Sequence, residues 1–233
     1  MKSYISDCAD YDRDVIRLVF FCFLVLLFSR QTVANVFSIS DALLESVRRE
    51  YGKAAEIRMQ DWKALLNDNN NKNLSETHKL RLVNDFFNTQ KFIDDIDHWG
   101  KEDFWATPVE FLASGGGDCE DFSVAKYFTL IKLGIPDEKL RITYVMALEY
   151  KQAHMVLSYF EAPDTEPLIL DNLNKMILPA GRRRDLKPIY NFNGDGLWVS
   201  RQRGSGKRVG QADDISRWMK LRTRFKETVT SKF

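Results

Sequence analysis

Cys119 lies in the segment Gly115-Gly116-Gly117-Asp118-Cys119-Glu120-Asp121-Phe122. The glycines interrupt any preceding helix. From Asp118 to about Leu133 the apolar positions Phe122, Ala125, Phe128 and Leu133 suit a new helix, which Gly134 stops. The thiol therefore falls in a first helical turn, where unpaired amides and the positive end of the helix dipole favour thiolate over thiol. Glycines beside it let backbone approach closely, so a substrate carbonyl could sit over the sulfur. Amides of that turn could hold a developing oxyanion. Read alone, the segment also fits Asp118 capping a core helix, with Cys119 packed as a small hydrophobe.

A cysteine nucleophile needs an imidazole base, and the base needs an orienting acceptor. Of the three histidines, His78 stands beside Lys79 and His98 among Asp94, Asp95 and Asp97, both in charged, surface-like stretches. His154 differs: it begins a strand after the polar break Tyr150-Lys151-Gln152. Taken singly, a strand histidine is more often structural than catalytic. Asp171 closes the next strand, after Pro167-Leu168-Ile169-Leu170. Antiparallel neighbours can bring two such residues within hydrogen-bonding reach; an Asx turn with Asn172 is the plainer account of Asp171.

Asp118, Glu120 and Asp121 surround the thiol with carboxylates, which raise a cysteine pKa. A hard cation would cancel that cost, and Ca²⁺ takes oxygen ligands of this kind. The spacing is not that of an EF-hand. The residues alone favour a cap and two solvated acids.

The elements that must position these groups can be read in outline. Ser40 to about Asn67 has helical spacing, Asn67 to Asn71 is a polar loop, and Ser75 to Phe87 forms a second helix. Thr107-Pro108-Val109-Glu110 is a helix start with the parts of a capping box. After Pro136 the period falls towards two, giving strands at Leu140 to Ala147, Ala153 to Phe160, Pro167 to Leu170, Pro188 to Phe192 and Leu197 to Arg201. A helix from Asp213 to Phe225 ends the series. Helices, a central helix and then an antiparallel sheet make an α+β fold in one domain, residues 35–233.

The chain has 233 residues, 44% hydrophobic and 29% charged, enough to bury a core without staples. Its net charge of +1 excludes a global field for nucleic acid. Arg182-Arg183-Arg184 and the basic run from Arg201 to Arg208 read as solvated loops, with partner binding the less common alternative. Leu18 to Phe28 is an apolar run too short to span a bilayer. It fits the core of an export signal ending at Thr32-Val33-Ala34, so residues 1–34 are a leader, although Asp7, Asp10, Asp12 and Asp14 make its start unusually acidic. Cys8 and Cys22 would leave with that leader. Cys119 would remain a lone thiol in an oxidising compartment, which is a liability unless it is used. Burial is the default for Trp99, Trp105, Trp198 and Trp218.

The stretch GGGDCEDFSVAKY and the strands QAHMVL and LILDNL closely resemble the bacterial transglutaminase-like cysteine proteinase family, and within it the periplasmic adhesin proteases. The resemblance runs from about Ser40 to Leu221, with 35 positions from Cys119 to His154 and 17 from there to Asp171. It implies a papain/transglutaminase-like core with Cys119 as nucleophile, His154 as base and later acid, and Asp171 as orienter. It also implies Ca²⁺ bound through Asp118, Glu120 and Asp121. Its further implications are a large adhesin cut near an N-terminal Ala-Ala pair in the periplasm, and sequestration by the periplasmic domain of an inner-membrane cyclic-di-GMP receptor. A transglutaminase passing the acyl group to an amine, and a non-catalytic module of the same fold, are the alternatives.

Overall fold

The computed structural model describes residues 37–200 and 206–230, so the leader, Cys8, Cys22 and most of the second basic run lie outside the described residues. The first helical pattern is two helices, α1 (Asp41–Tyr51) and α2 (Lys53–Asn67). They divide at Gly52, whose φ of 85° is a conformation that glycine tolerates and L side chains rarely adopt. Ser40 caps α1 through the Leu43 amide. The expected asparagine loop winds into a short helix, α3 (Asn69–Asn73), because Asp68 accepts from the Asn70 N–H and starts a turn. Next come α4 (Glu76–Phe87), β1 (Lys91–Phe92), α5 (Asp95–Trp99), α6 (Pro108–Ser114), β2 (Gly116–Gly117) and α7 (Cys119–Lys132). The capping box before α6 forms as its sequence suggests: Thr107 accepts from the Glu110 N–H, and Glu110 accepts from the Thr107 N–H.

Strands β3 (Leu140–Ala147), β4 (Gln152–Tyr159), β5 (Leu168–Leu170), β6 (Leu178–Pro179), β7 (Leu186–Phe192), β8 (Gly196–Val199) and β9 (Lys207–Gln211) make one antiparallel sheet in the order β6-β5-β4-β3-β7-β8-β9. β1 and β2 pair separately in parallel. β1, β2 and β6 carry two residues each, too few to show a period, and were not expected as strands; nor was β9, which lies within and just after the basic run read as a loop. The mixed architecture of helices on an antiparallel sheet matches the α+β expectation.

α7 is the axis of the molecule, apolar on most sides and packed between α4, α6 and the sheet strands β3 and β4. Trp62 of α2 is fully buried and donates from its indole to Thr129 of α7 at 2.9 Å. The last helix, α8 (Ser216–Thr230), closes the far end. Its Trp218 is fully buried, stacks on Phe128 with centroids 5.5 Å apart, meets Phe192 edge-on at 5.4 Å, and donates to the Asn193 carbonyl at 3.0 Å. Trp105 is buried as well, whereas Trp99 and Trp198 are half-buried. Trp218→Ala is expected to cost about 3–5 kcal/mol through lost burial and the cavity left behind. Urea unfolding measures this, and a loss below about 1 kcal/mol would place α8 outside the cooperative core. Among the described residues no helix is long and apolar enough to cross a membrane.

Candidate active site

The site forms where the N-terminus of α7 meets β4. β4 pairs with β5 so that Leu157 faces Leu170 and Ser158 faces Ile169, which brings Asp171, just beyond Leu170, diagonally near His154. The His154 Nε2 lies 2.8 Å from Asp171 Oδ1. Both side chains are buried, at 3% and 1% residue exposure. Burial pushes the Asp171 carboxyl up, but hydrogen bonds and charge from His154 and Arg183 outweigh it and hold the group at about 2. An ionised Asp171 can only accept, so Nε2 carries the proton and Nδ1 keeps its lone pair.

The Cys119 sulfur reaches the same strand. It accepts from the backbone N–H of Met155, the residue after His154, and its thiol donates to Glu120 Oε2 at 3.2 Å. The structure thus brings Cys119, His154 and Asp171 to one corner. It does not favour the thiolate in the way the helix terminus alone suggests. Burial raises the Cys119 pKa well above its usual value, the charges of Glu120 and Asp118 add to the rise, and the Met155 amide opposes it.

The glycines beside Cys119 have a different task from that expected. Gly115, at φ 90°, ends α6 in the left-handed region. A side chain on Gly116 would strike the Lys91 carbonyl of β1, and one on Gly117 would strike Asp121. Their bareness admits neighbouring protein, namely β1 and the carboxylate under the α7 start, and so fixes where that helix begins.

Side chains at α4 and on α7 complete the frame. The Asp171 carbonyl accepts from Asn88 Nδ2 at 2.9 Å and from Lys126 Nζ at 3.1 Å, tying the strand end to α4 and to α7. Asn84 holds the Lys175 carbonyl at 2.9 Å. The region of α4 reads in sequence as plain core packing, yet these two amides fasten the loop after Asp171. His78 is exposed as expected, and His98 is half-buried against Trp99.

Around the thiol the carboxylates gather more densely than the sequence shows. Asp118, Cys119 and Glu120 offer ligand atoms within 4.8 Å of one another; so do Asp95, Asp118 and Asp121, and again Asp95, Asp103 and Glu120. Asp95 and Asp103 went unrecognised, because the acids of Asp94 to Asp97 look like a solvated run and only the fold turns Asp95 inward. Asp121 is fully buried, with Oδ1 accepting from Ala106 at 2.6 Å and Oδ2 from Asp118 at 3.3 Å. Asp118 Oδ1 and Asp95 Oδ1 are buried without a hydrogen-bond partner among the described residues. Burial, followed by the charge of Glu120, pushes Asp118 up to about 10. Burial likewise takes Asp95 to about 6, against the Phe104 amide. Orphaned buried oxygens among mutually repelling acids fit a hard, oxygen-binding cation.

The sequence profile of bacterial transglutaminase-like cysteine proteinases (BTLCP) matches residues 49–184. The chain belongs to this family. It is a cysteine protease of transglutaminase-like fold. Three solved structures of Legionella pneumophila LapG are similar to it. The EGTA-treated form is 39% identical with a TM-score of 0.70, covering 82% of this chain and 100% of that one. A second LapG structure, also 39% identical at 0.70, covers 82% and 99%. The calcium-bound form is 40% identical at 0.67, covering 80% and 99%. Comparison with curated proteins gives no match. Beside the α7 start, Asp95, Asp103, Asp118, Glu120 and Asp121 come together in overlapping groups of three that could hold a metal ion.

Proposed function

We propose that this protease is a calcium-dependent periplasmic endopeptidase that cuts a large surface adhesin in its N-terminal region, near an Ala-Ala pair, and so releases cells from a biofilm. The observation that carries the chemistry is the His154–Asp171 pair at 2.8 Å on the strand whose next amide holds the Cys119 sulfur. Nδ1 of His154 takes the thiol proton, and the sulfur attacks the scissile carbonyl. Amides of the first turn of α7 accept the charge that develops on its oxygen. The imidazolium returns its proton to the leaving amine, which leaves an acyl-enzyme on Cys119. Water, deprotonated by the same imidazole, then releases the acid and restores the thiol. Asp171 keeps the ring in one orientation and stabilises its charged form.

Calcium is the cation that best suits the carboxylate cluster, and the calcium-bound LapG structure supports that choice. When bound it would neutralise the acids that otherwise oppose a thiolate beside them. Export follows from the apolar run at Leu18 to Phe28. A periplasmic domain of an inner-membrane cyclic-di-GMP receptor is the regulator that sequesters the enzyme. The test mixes purified protein with the N-terminal region of a co-encoded adhesin, with and without Ca²⁺, and maps the cut by mass spectrometry. One calcium-dependent cut at an Ala-Ala pair is the expected result. An uncut adhesin, or incorporation of a labelled amine without cleavage, would reject the reading.

A further inference from the structure

Arg182-Arg183-Arg184 reads in sequence as one solvated basic stretch, but its members part company in the structure. Arg182 and Arg184 are exposed, whereas Arg183 turns inward and is only 4% exposed. A short 3-10 turn over residues 180–182 directs it there: the Arg183 N–H donates to the Ala180 carbonyl at 3.0 Å, and the Arg183 carbonyl accepts from Leu186 at 3.1 Å. Its Nη2 donates to Asp171 Oδ2 at 2.7 Å and to Asp185 Oδ2 at 2.7 Å, while Nε donates to Asp185 Oδ1 at 3.0 Å. Asp171 Oδ1 is taken by His154 Nε2 and by the Leu173 N–H at 3.0 Å. The two oxygens of one carboxylate are thus divided between an imidazole and a guanidinium.

We propose that Arg183 is a positioning residue for peptide hydrolysis, holding Asp171 as an ionised acceptor and thereby fixing the His154 tautomer that leaves Nδ1 free for the thiol proton. The inference rests on the catalytic reading of Cys119, His154 and Asp171. A carboxylate whose side chain has no exposed surface cannot draw on water for its charge, and a neutral imidazole supplies none. Lys126 is no substitute: it meets the Asp171 carbonyl and not the carboxylate, and burial lowers its pKa to about 7. The guanidinium stays charged at any working pH, and its planar fork is itself aligned by Asp185. Without that charge, burial would favour a protonated Asp171, which would offer an O–H where the imidazole needs an acceptor. Nε2 would then accept, Nδ1 would carry the proton, and the base would face the thiol in the wrong form. An Asp-to-Asn change in a comparable triad of other enzymes acts through the same fault.

The test measures kcat and KM on the N-terminal adhesin region for Arg183→Met, Arg183→Lys, Asp171→Asn and the double variant, with the imidazole N–H proton of His154 followed by NMR. Arg183→Met is expected to lower kcat by roughly 30-fold or more with KM within about twofold, since the interaction acts on the reacting geometry and not on substrate. Its downfield Nε2–H resonance should be lost. Arg183→Lys, which keeps the charge but loses the fork, should recover part of kcat and the resonance. The double variant should be no slower than Asp171→Asn alone, because both changes break one linkage. Near wild-type kcat in Arg183→Met beside a crippled Asp171→Asn would overturn the inference. So would losses that simply add, or a lysine variant as slow as the methionine one. A fully active Asp171→Asn would instead remove the catalytic reading itself, and the inference with it. Should Arg183→Met fail to fold by circular dichroism, Arg183→Gln takes its place under the same criteria.

Discussion

Cys119→Ala is expected to abolish cleavage, lowering kcat by roughly 10⁶-fold, the scale seen when a catalytic nucleophile alone is removed. No other thiol is found among the described residues, so nothing nearby can take over the covalent step. The fold should survive. Among the described residues the sulfur makes two polar contacts, with Glu120 and the Met155 amide, and the α7 start is fixed independently by Asp121, Gly117 and β1. Removing an S–H group from among carboxylates leaves no charge unpaired. Thermal melts should therefore move by only a few degrees, and the inactive variant should still bind the adhesin fragment. Cleavage by the alanine variant at more than a trace of the wild-type rate would end the nucleophile assignment.

Excess chelator should lower cleavage by at least about 100-fold, and Ca²⁺ should restore it. The acids around α7 repel one another, and Asp118 Oδ1 and Asp95 Oδ1 have no hydrogen-bond partner among the described residues. A cation bound only by the folded chain also adds stability as RT ln(1 + [L]/Kd), about 2.7 kcal/mol at one hundred times Kd. Wild-type protein should therefore melt higher as Ca²⁺ is added. Asp118→Asn removes a carboxyl that, without a cation, burial and its acidic neighbours hold protonated up to about 10, so it should melt higher than wild type in chelator yet gain little from Ca²⁺. That crossing of the two melting curves separates cation binding from a simple loss of stability. Full activity in chelator, or an Asp118→Asn variant that responds to Ca²⁺ like wild type, would defeat the calcium proposal.

Sequence conveyed the parts of this molecule whose physics is local. The capping box at Thr107, the start of α7 and the long strands β3 and β4 rest on residues within a few positions of one another, and they appear where expected. The corner that joins Cys119, His154 and Asp171 was legible because each stands at the end of a readable element. Asp95 and Arg183 were not. Each sits in a run of like charges, and its inward turn depends on a partner outside that run: the Phe104 N–H for one, Asp171 for the other. Lys126 and Asn88 were hidden in the same way, as polar residues on or just after helices that otherwise read as core. The glycines were legible as places of close approach, but the neighbours that fill the space, β1 and Asp121, were not.

The carbonyl of Asp171 is tied to Asn88 and Lys126, 83 and 45 positions earlier in the chain, and its carboxylate to Arg183, 12 positions later. A newly made chain therefore cannot assemble the proposed base until the segments around residues 88, 126, 171 and 183 have closed on one another. For a peptide-cutting enzyme this ordering is protective. Half-folded copies, whose loose segments are the easiest prey, would meet neighbours that are still harmless, and cutting power would arrive only with molecules compact enough to resist it.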